Sequence, residues 1–347
     1  MERDETEILF SRMRFLVIRC RVLQLIRAFF ESEGFIEVQT PLLTSAPAPE
    51  VHIRPFRVDS GLFLSTSPEL HMKRLLAAGF KKIFQVTRAF RAGERGRFHH
   101  PEFTILEWYR SGANYKDLQQ DCHKLTRFVS RKLPGCQSSV SGPEATALSS
   151  ESSVPNHPAS VTGPPSSVLR FPSSVLRFKG SILDVEAPWQ RYSVREAFKK
   201  FAGWDPGPDP DEDRFDLDLV QQVEPNLGFP SPCILEDYPV SRAALARVKP
   251  GEPDVAERFE MFWAGIELAN GFSELTDPDE QKARFRSAIA QKKQMEEIDY
   301  PFPNAFLESL QHLGPCAGIA FGVDRFVMLL SNAESIDDVV AFPPEMA

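Results

Sequence analysis

The sequence has no pair of cysteines spaced as C-x-x-C, and its five cysteines are scattered along the chain (Cys20, Cys122, Cys136, Cys233 and Cys316). An odd, unpatterned set argues against a disulfide framework or a cysteine zinc site, and suits a reducing compartment. No apolar run approaches the roughly 20 residues that span a bilayer, and the acidic stretch from Met1 to Phe10 lacks the apolar core of a signal peptide. These absences predict a soluble cytoplasmic protein.

Positive charge is not in excess either, since the formal net charge is −8 over 347 residues. That balance argues against a large non-specific nucleic-acid surface. Apolar residues make up 42% of the chain, which is enough for a globular core. The length allows one large or two ordinary domains.

One segment, residues 135–178, differs from the rest in composition. It is rich in Ser, Pro, Gly and Val, has few charges, and contains PSSVLRF twice in tandem, at 165–171 and 172–178. Such a composition buries too little apolar surface to offset the entropy lost on ordering. We therefore predict a disordered insertion at 135–178, within one domain formed by residues 1–134 and 179–347.

The stretch that carries chemistry runs from Ile83 to Arg110 as strand, charged loop and second strand. Alternation along the second strand places Phe103, Ile105, Glu107 and Tyr109 on one face. A carboxylate on a partly buried face needs a cationic partner. A salt bridge on a half-exposed strand would explain it, but the adjoining arginine-rich loop favours a phosphate site.

Two further patterns admit both a structural and a functional interpretation. Ser67, Pro68 and Glu69 form a good helix start, which capping alone explains. The residues from Phe259 to Leu268 predict one strand, after which Asn270-Gly271 allows a turn. Glu267 and Glu274 would then be candidate Mg²⁺ ligands, or two acids that are separately solvated or salt-bridged.

Four stretches together resemble a known family. FRAGERGRFHHPEFTILEWYR (Phe90 to Arg110) resembles motif 2 of class II aminoacyl-tRNA synthetases, and most closely the lysine branch. GFIEVQTPLL (34–43) resembles motif 1, GIELANGFSELTD (265–277) the segment before motif 3, and GIAFGVDRFVMLL (318–330) motif 3. The resemblance implies an α+β fold with a mostly antiparallel sheet flanked by helices, and a homodimer formed through motif 1.

The resemblance also implies the chemistry: a carboxylate attacks the α-phosphate of ATP with Mg²⁺, and an acceptor then displaces AMP. Arg91 would be the catalytic contact to the α-phosphate. The implied ATP site comprises Arg91, Ala92, Gly93, Glu94, His99, His100, Phe103, Glu267, Leu268, Asn270, Gly322 and Arg325. In this family the arginine at 325 and the phenylalanine at 103 clamp adenine, whereas Asp324-Arg325 alone would be interpreted as a capping pair.

The implied amino-acid site comprises Ser67, Pro68, Glu69, Glu107, Tyr109, Glu274 and Ala320, and the implied metal ligands are Glu267 and Glu274. With several acids and no compensating base, we expect a substrate with two ammonium groups. The sequence departs from the family at Gly93, where Glu is usual, and at His100, where Asn is usual. Glu94 would take the missing role, or ATP binding would be altered.

Motif 1 begins at Gly34, so the anticodon-binding barrel of lysyl-tRNA synthetases is not expected. The chain most resembles the elongation factor P lysine ligases, a family that adds (R)-β-lysine to a lysine of that factor. Ala320 supports this choice, since lysyl-tRNA synthetases have Gly there, although Ala and Gly also interchange in packed strands. Elongation factor P would dock on a basic patch formed by Lys73, Arg74, Lys81, Lys82, Arg95 and Arg97. Charging of tRNA or a small acceptor, and a non-catalytic regulatory paralogue, remain alternatives.

Overall fold

The computed structural model describes residues 4–58, 61–133, 175–296 and 300–347. The helices are α1 (Glu5–Ser32), α2 (Glu69–Ala77), α3 (Tyr115–Lys132), α4 (Val194–Ala197), α5 (Glu212–Asp218), α6 (Pro278–Glu296), α7 (Asn304–Leu310) and α8 (Val323–Ser331). The strands are β1 (Ile36–Glu37), β2 (Leu43–Thr44), β3 (Phe63–Leu64), β4 (Lys82–Phe90), β5 (Glu102–Ser111), β6 (Val175–Phe178), β7 (Ser181–Asp184), β8 (Gln190–Ser193), β9 (Cys233–Pro239), β10 (Val248–Lys249), β11 (Glu252–Trp263), β12 (Ile266–Ser273) and β13 (Cys316–Gly322). Among the described helices, none combines the length and the apolar character needed to cross a bilayer.

One large sheet organises the domain, with strand order β1-β4-β5-β13-β12-β11-β9-β8 and β10 paired to β11. Only the two outer pairs, β1 with β4 and β8 with β9, are parallel. All the inner pairs are antiparallel. The predicted α+β class, with a mostly antiparallel sheet flanked by helices, is confirmed.

Helix α1 packs its apolar stripe against one face of this sheet. The predicted stripe residues Phe15, Ile18, Val22, Leu25 and Phe29 are all buried. Near the end of the helix, the ring of Phe30 stacks on the ring of Phe84 in β4, with 4.8 Å between the two centroids. The largest core cluster therefore includes α1 and this face of the sheet, and a second cluster joins the sheet to α2, α6 and α7.

The expected single strand from Phe259 to Leu268 is wrong. The chain turns at Ala264 and Gly265, whose φ angles are +53° and +72°, and returns as β12. Asn270 and Gly271 lie inside β12 and face Glu260 and Phe259 of β11. The sequence did not reveal this turn, because the run on both sides of it is apolar and its first position, Ala264, is a non-glycine residue with positive φ.

The predicted insertion needs a correction at its end. Val175–Phe178, the last four residues of the second PSSVLRF copy, form β6 and pair with β7. Leu176 and Phe178 are buried in the main core, next to Leu183. Alternating apolar side chains let these residues bury one face. The rest of the predicted insertion, residues 135–174, lies outside the described residues.

Candidate active site

A cleft of about 190 Å³ opens on the sheet face opposite α1, over β5, β12 and β13. The predicted site residues that line it are Ser67, Glu69, Arg91, Glu94, His99, His100, Phe103, Glu107, Tyr109, Glu267, Leu268, Asn270, Ala320, Gly322 and Arg325. Residues far apart in the chain thus meet in one cavity. Pro68, Ala92, Gly93 and Glu274 were also predicted and are not on its wall.

Strand β5 carries the floor of the cleft. The face that alternation predicts, with Phe103, Ile105, Glu107 and Tyr109, lines the cavity. Trp108 points the other way and is fully buried in the core. The pleat of one strand therefore serves the core and the site at once.

Glu107 lies at the closed end of the cleft and is 1% exposed. Its two oxygens accept hydrogen bonds from Ser67 Oγ at 2.6 Å and Tyr109 Oη at 2.9 Å. Burial, together with the neighbouring Glu69, raises the pKa of Glu107 to about 8 despite these hydrogen bonds. Glu107 is therefore largely protonated near neutral pH, and a cationic ligand would favour its charged form.

Lys73 contradicts the expectation that this end has no compensating base. Its ammonium is fully buried and lies 2.5 Å from Glu69 Oε1 and 2.5 Å from Glu274 Oε2. Burial alone lowers the pKa of Lys73, but Glu274 and Glu69 more than offset it and the pKa is raised. Lys73 therefore cannot belong to the predicted docking patch. The i,i+4 spacing of Glu69 and Lys73 on α2 was a signal that could have revealed the pair.

Glu274 lies beneath the cleft beside Gly318 of β13. A Cβ at position 318 would come within 2.3 Å of Glu274 Oε1 and 2.1 Å of Tyr109 Cε1. Among the described residues, Glu274 Oε1 has no hydrogen-bond partner. Glycine at 318 thus leaves room for the Glu274 carboxylate beneath the cleft.

The structure separates the predicted metal pair, Glu267 and Glu274. The two residues lie at opposite ends of β12, and seven residues of extended strand span roughly 23 Å at about 3.3 Å per residue. Glu274 is occupied by Lys73, whereas Glu267 pairs with Arg325 at 3.2 Å. The prediction had brought the two carboxylates together because it placed the turn at Asn270 and Gly271.

Glu260 of β11, and not Glu274, lies near Glu267. The pairing of Met261 with Ala269 and of Phe262 with Glu267 leaves Leu268 as an extra residue in β12. Such a bulge changes the direction of the following side chains.

On β11, Glu260 lies opposite Asn270, whose Nδ2 is 3.4 Å from Glu260 Oε1. Burial raises the pKa of Glu260, with Glu267 adding to the effect and Arg258 opposing it. Burial, Glu260 and Glu267 also raise the pKa of Glu224 to about 7. These crowded carboxylates have the oxygen donors and the excess negative charge that suit Mg²⁺. Glu260 was missed because nothing in the linear sequence pairs it with Glu267.

The open end of the cleft is formed by the start of α8 and the loop after β4. Arg325 donates to Glu267 O at 2.7 Å and to Phe98 O at 3.2 Å, and lies 2.5 Å from His99 Nε2. Burial and the nearby Arg325 lower the pKa of His99 to about 4. His99 is therefore neutral at pH 7 and accepts a hydrogen bond from the guanidinium.

Arg91 and His100 belong to the same loop but have different surroundings. The Arg91 guanidinium lies 5.0 Å from the Phe103 ring centroid and 3.8 Å from Glu94 Oε1. His100 is 2% exposed and lies 2.5 Å from Asp337 Oδ1. His100 is thus anchored to Asp337 at the cavity wall, while Arg91 faces the cavity with Glu94 beside it.

Ala320 occupies the centre of β13, between the two ends of the cleft. It pairs across the sheet with Asn270 on one side and Glu107 on the other. Its methyl group lines the cavity. The position is therefore close enough to the acidic end to affect the placement of a ligand.

The fold and the site define a class of protein. Residues 11–346 match the family of class II tRNA synthetases for D, K and N, and the chain belongs to this family.

Curated relatives narrow the class further. The chain is 36% identical over 340 residues to the elongation factor P–(R)-beta-lysine ligase of Vibrio cholerae, covering 94% of both chains. It is 36% identical over 348 residues to the protein of the same name from Pectobacterium carotovorum, covering 96% of this chain and 95% of the relative. The Klebsiella pneumoniae (strain 342) protein shows the same identity over 346 residues. Within the class, the chain therefore belongs to the family of these ligases.

Proposed function

We propose that this protein activates (R)-β-lysine, or lysine, with ATP and transfers it to a lysine side chain of elongation factor P. The observation that carries the proposal is the acidic end of the cleft, where Glu69 and Glu274 share one buried lysine and Glu107 lies near Glu69. Three carboxyls against one ammonium match an amino acid that brings two ammonium groups. We place the reaction in the cytoplasm, since scattered cysteines suit a reducing compartment.

At the acidic end, the residues would bind and orient the amino acid. The carboxylates of Glu69 and Glu107 would accept hydrogen bonds from its ammonium groups, and Glu274 would add negative charge from beneath the cleft. Ser67 and Tyr109 hold Glu107 in place through their hydroxyls. The substrate carboxylate would then point along the cleft toward Arg91, which is the arrangement that in-line attack requires.

At the open end, Arg91 would neutralise charge on the α-phosphate while a substrate carboxylate oxygen forms its bond to phosphorus. The bond from that phosphorus to the bridging oxygen breaks, and pyrophosphate leaves with the electron pair. Phe103 and Arg325 would enclose the adenine by stacking. His99, His100 and Glu94, and the backbone of Ala92, Gly93, Leu268, Asn270 and Gly322, would complete the nucleotide site.

Mg²⁺ fits beside this site at Glu267, with Glu260 behind it, in place of the pair first expected. When bound, the ion would supply positive charge that neutralises phosphate oxygens. Arg258 lies 2.6 Å from Glu260 Oε1 and balances part of the acidic charge. The chain's own contribution is to present Glu267 on the cavity wall, next to the β12 bulge at Leu268.

We also propose that the protein forms a homodimer through α1 and β1. The helix exposes Phe10, Met13 and Val17, and β1 exposes Ile36, each more than half exposed. The three helical residues lie at i, i+3 and i+7, so they share one apolar stripe on the helix. A second copy is the occupant that the family resemblance implies. Sedimentation of a Val17→Asp variant as a monomer would support this surface, and an unchanged dimer would contradict it.

The test of function combines purified protein, ATP, Mg²⁺ and labelled (R)-β-lysine or lysine with elongation factor P and with bulk tRNA. We expect label on the factor together with release of AMP, and a preference for the β-isomer if the Ala320 methyl selects it. Label on tRNA alone would contradict the proposed acceptor. Label on neither, with ATP bound, would favour a regulatory paralogue.

A matched pair of variants links the result to the cleft. Arg91→Ala should abolish labelling, because this guanidinium faces the cavity. Arg88→Ala also removes an arginine, but the Arg88 side chain belongs to β4, is half exposed and lies 3.5 Å from Glu102 Oε1. We expect Arg88→Ala to keep most activity, since such surface pairs contribute about 0–1 kcal/mol.

A further inference from the structure

Glu50 is an acid of the cleft that the mechanism above does not use. Its side chain lines the cavity with Glu69 and Arg91. The other cleft acids each have a partner: Glu69, Glu94, Glu107, Glu267 and Asp324. Within the described part of the chain, the Glu50 carboxylate has no such hydrogen bond or ion pair, so it is available to a ligand.

The loop that carries Glu50 is held in place by a buried lysine of α6. Lys292 Nζ is fully buried and donates to Glu50 O at 2.7 Å and to Ile53 O at 2.5 Å, with Val51 O at 3.3 Å. Burying an ammonium is costly unless its protons are satisfied. Three carbonyls of one short loop satisfy it here, so the loop is fixed and Glu50 is preset on the cavity wall.

The surroundings of Glu50 make it a suitable proton acceptor. Charged groups face it from four elements: Glu69 on α2, Arg91 after β4, Arg258 on β11 and Lys292 on α6. Burial and Glu69 raise the pKa of Glu50, although the three cations oppose the shift. A carboxylate whose pKa is moved toward neutral is a better general base at pH 7.

The proposed reaction needs such a base in its second step. A lysine side chain has a pKa near 10.4 in water, so it arrives as an ammonium that has no lone pair for attack. If the proposed function holds, the adenylate carbonyl lies between the acidic end and Arg91, and the acceptor must approach from the open side of the cleft. Glu50 lines the same cavity as Glu69 and Arg91.

We propose that Glu50 binds the acceptor ammonium and removes its proton before attack on the adenylate. The freed amine forms a bond to the carbonyl carbon, and the carbon–oxygen bond to phosphate breaks so that AMP leaves with the electron pair. The second amine proton passes to the departing phosphate or to water, leaving a neutral amide. Glu50 then returns its proton to solvent.

The experiment separates the two half-reactions in Glu50→Gln. We expect pyrophosphate exchange with (R)-β-lysine and trapping of the adenylate by hydroxylamine to stay within about threefold, because hydroxylamine is largely neutral at pH 7.5 and needs no base. Transfer to elongation factor P should fall by about 100-fold, the lower range for loss of a general base. Its rate should then rise about tenfold per pH unit as the acceptor lysine deprotonates itself.

Two controls exclude a structural effect. Glu50→Asp keeps the carboxylate and should recover part of the transfer rate. His52→Gln alters an exposed residue of the same loop, whose ring lies 3.1 Å from Glu212, and should change none of the three assays. Equal losses of exchange and transfer in Glu50→Gln, or an undiminished transfer rate, would overturn the proposal.

The same assays distinguish this proposal from the proposed function. If the unaltered protein forms the hydroxamate but never labels elongation factor P, the acceptor is wrong. N-acetyl-lysine amide then replaces the factor as acceptor for both proteins. Loss of its aminolysis in Glu50→Gln, with trapping by hydroxylamine retained, would still support Glu50 as the base, and equal rates would refute it.

Discussion

The two ends of the cleft are built differently. At the acidic end, Glu69, Glu107 and Glu274 are almost fully buried, and Lys73, Ser67 and Tyr109 hold them through contacts of 2.5–2.9 Å. At the nucleotide end, Arg91 and Arg325 are partly exposed and pair with loop carbonyls, His99 and single carboxylates. The acidic end is therefore preorganised for one shape and charge, whereas the arginines can exchange their present partners for phosphates and adenine.

This difference has an electrostatic reason. A buried carboxylate cannot rely on water, so its partners must be in place before the ligand arrives. A partly exposed guanidinium is stabilised by solvent and gains from a phosphate without losing a unique partner. Substitutions at the acidic end should therefore cost more than comparable substitutions at the nucleotide end.

The largest effect is expected for Lys73→Met, which leaves two buried carboxylates without their shared cation. We expect the free energy of unfolding to fall by about 3 kcal/mol, as for other broken buried pairs. Chemical denaturation measures this, and calorimetry should show weakened amino-acid binding. Lys116→Met is the matched control, because the Lys116 ammonium also lies 2.6 Å from a carboxylate, that of Glu236, but its side chain is 41% exposed. This variant should lower the free energy of unfolding by no more than about 1 kcal/mol. Equal losses in both variants would contradict a special role for the buried lysine.

Gly318→Ala should be next in size. Its methyl group would collide with the Tyr109 ring and Glu274 Oε1, displacing two groups that orient the amino acid. We expect about a 100-fold loss in kcat/KM for the amino acid in pyrophosphate exchange, the scale of a misplaced reactive geometry, with ATP affinity unchanged.

Gly322→Ala is made at the other end of the same strand. There the nearest neighbour of a new Cβ is Arg325 Cδ at 3.5 Å, an ordinary contact. This variant should behave nearly like the unaltered protein. A loss of kcat/KM for the amino acid as large as that of Gly318→Ala would mean that any added methyl group disturbs all of β13. The two ends of the cleft would then not differ in their response.

The pH dependence should also distinguish the two ends. Glu107 has a pKa of about 8 in the folded protein against 4.5 for an ordinary glutamate, so the free protein loses stability as pH rises from the lower value through the higher one. A diammonium ligand favours the carboxylate, so its affinity should rise by about tenfold per pH unit between pH 6 and 7, while a proton is released. Calorimetry in buffers of different ionisation enthalpy measures that proton. ATP binding should lack this dependence, and Glu107→Gln should reduce it in amino-acid binding without removing it, because burial also raises the pKa of Glu274 to about 8.

Arg325→Lys is expected to have the smallest effect. Lysine keeps the charge but loses the planar group that would stack on adenine, which is worth about 1 kcal/mol, or about fivefold in ATP affinity. Binding of a fluorescent ATP analogue measures the change, and amino-acid affinity should stay the same. A loss above 100-fold would show that the nucleotide end is as rigid as the acidic one.

Local sequence predicted much of this site because its signals lie within single elements. Alternation along β5 placed Glu107 and Tyr109 on the cleft face without any tertiary information. The stripe on α1 likewise predicted which face of that helix is buried. Where the pattern depended on a turn, as at Ala264 and Gly265, prediction failed, because an apolar run gives no sign that the chain reverses inside it.

By itself, the sequence determined the class of the fold, the order of its motifs and many of the residues that meet in the cleft, since these follow from strand periodicity and resemblance. Only the tertiary structure decided how those residues are paired. It placed Lys73 between Glu69 and Glu274, put Glu260 rather than Glu274 beside Glu267, and set Glu50 on the wall through the buried Lys292. These outcomes depend on contacts between distant segments and on burial, which decides how costly an unpaired charge is and which partner it must have.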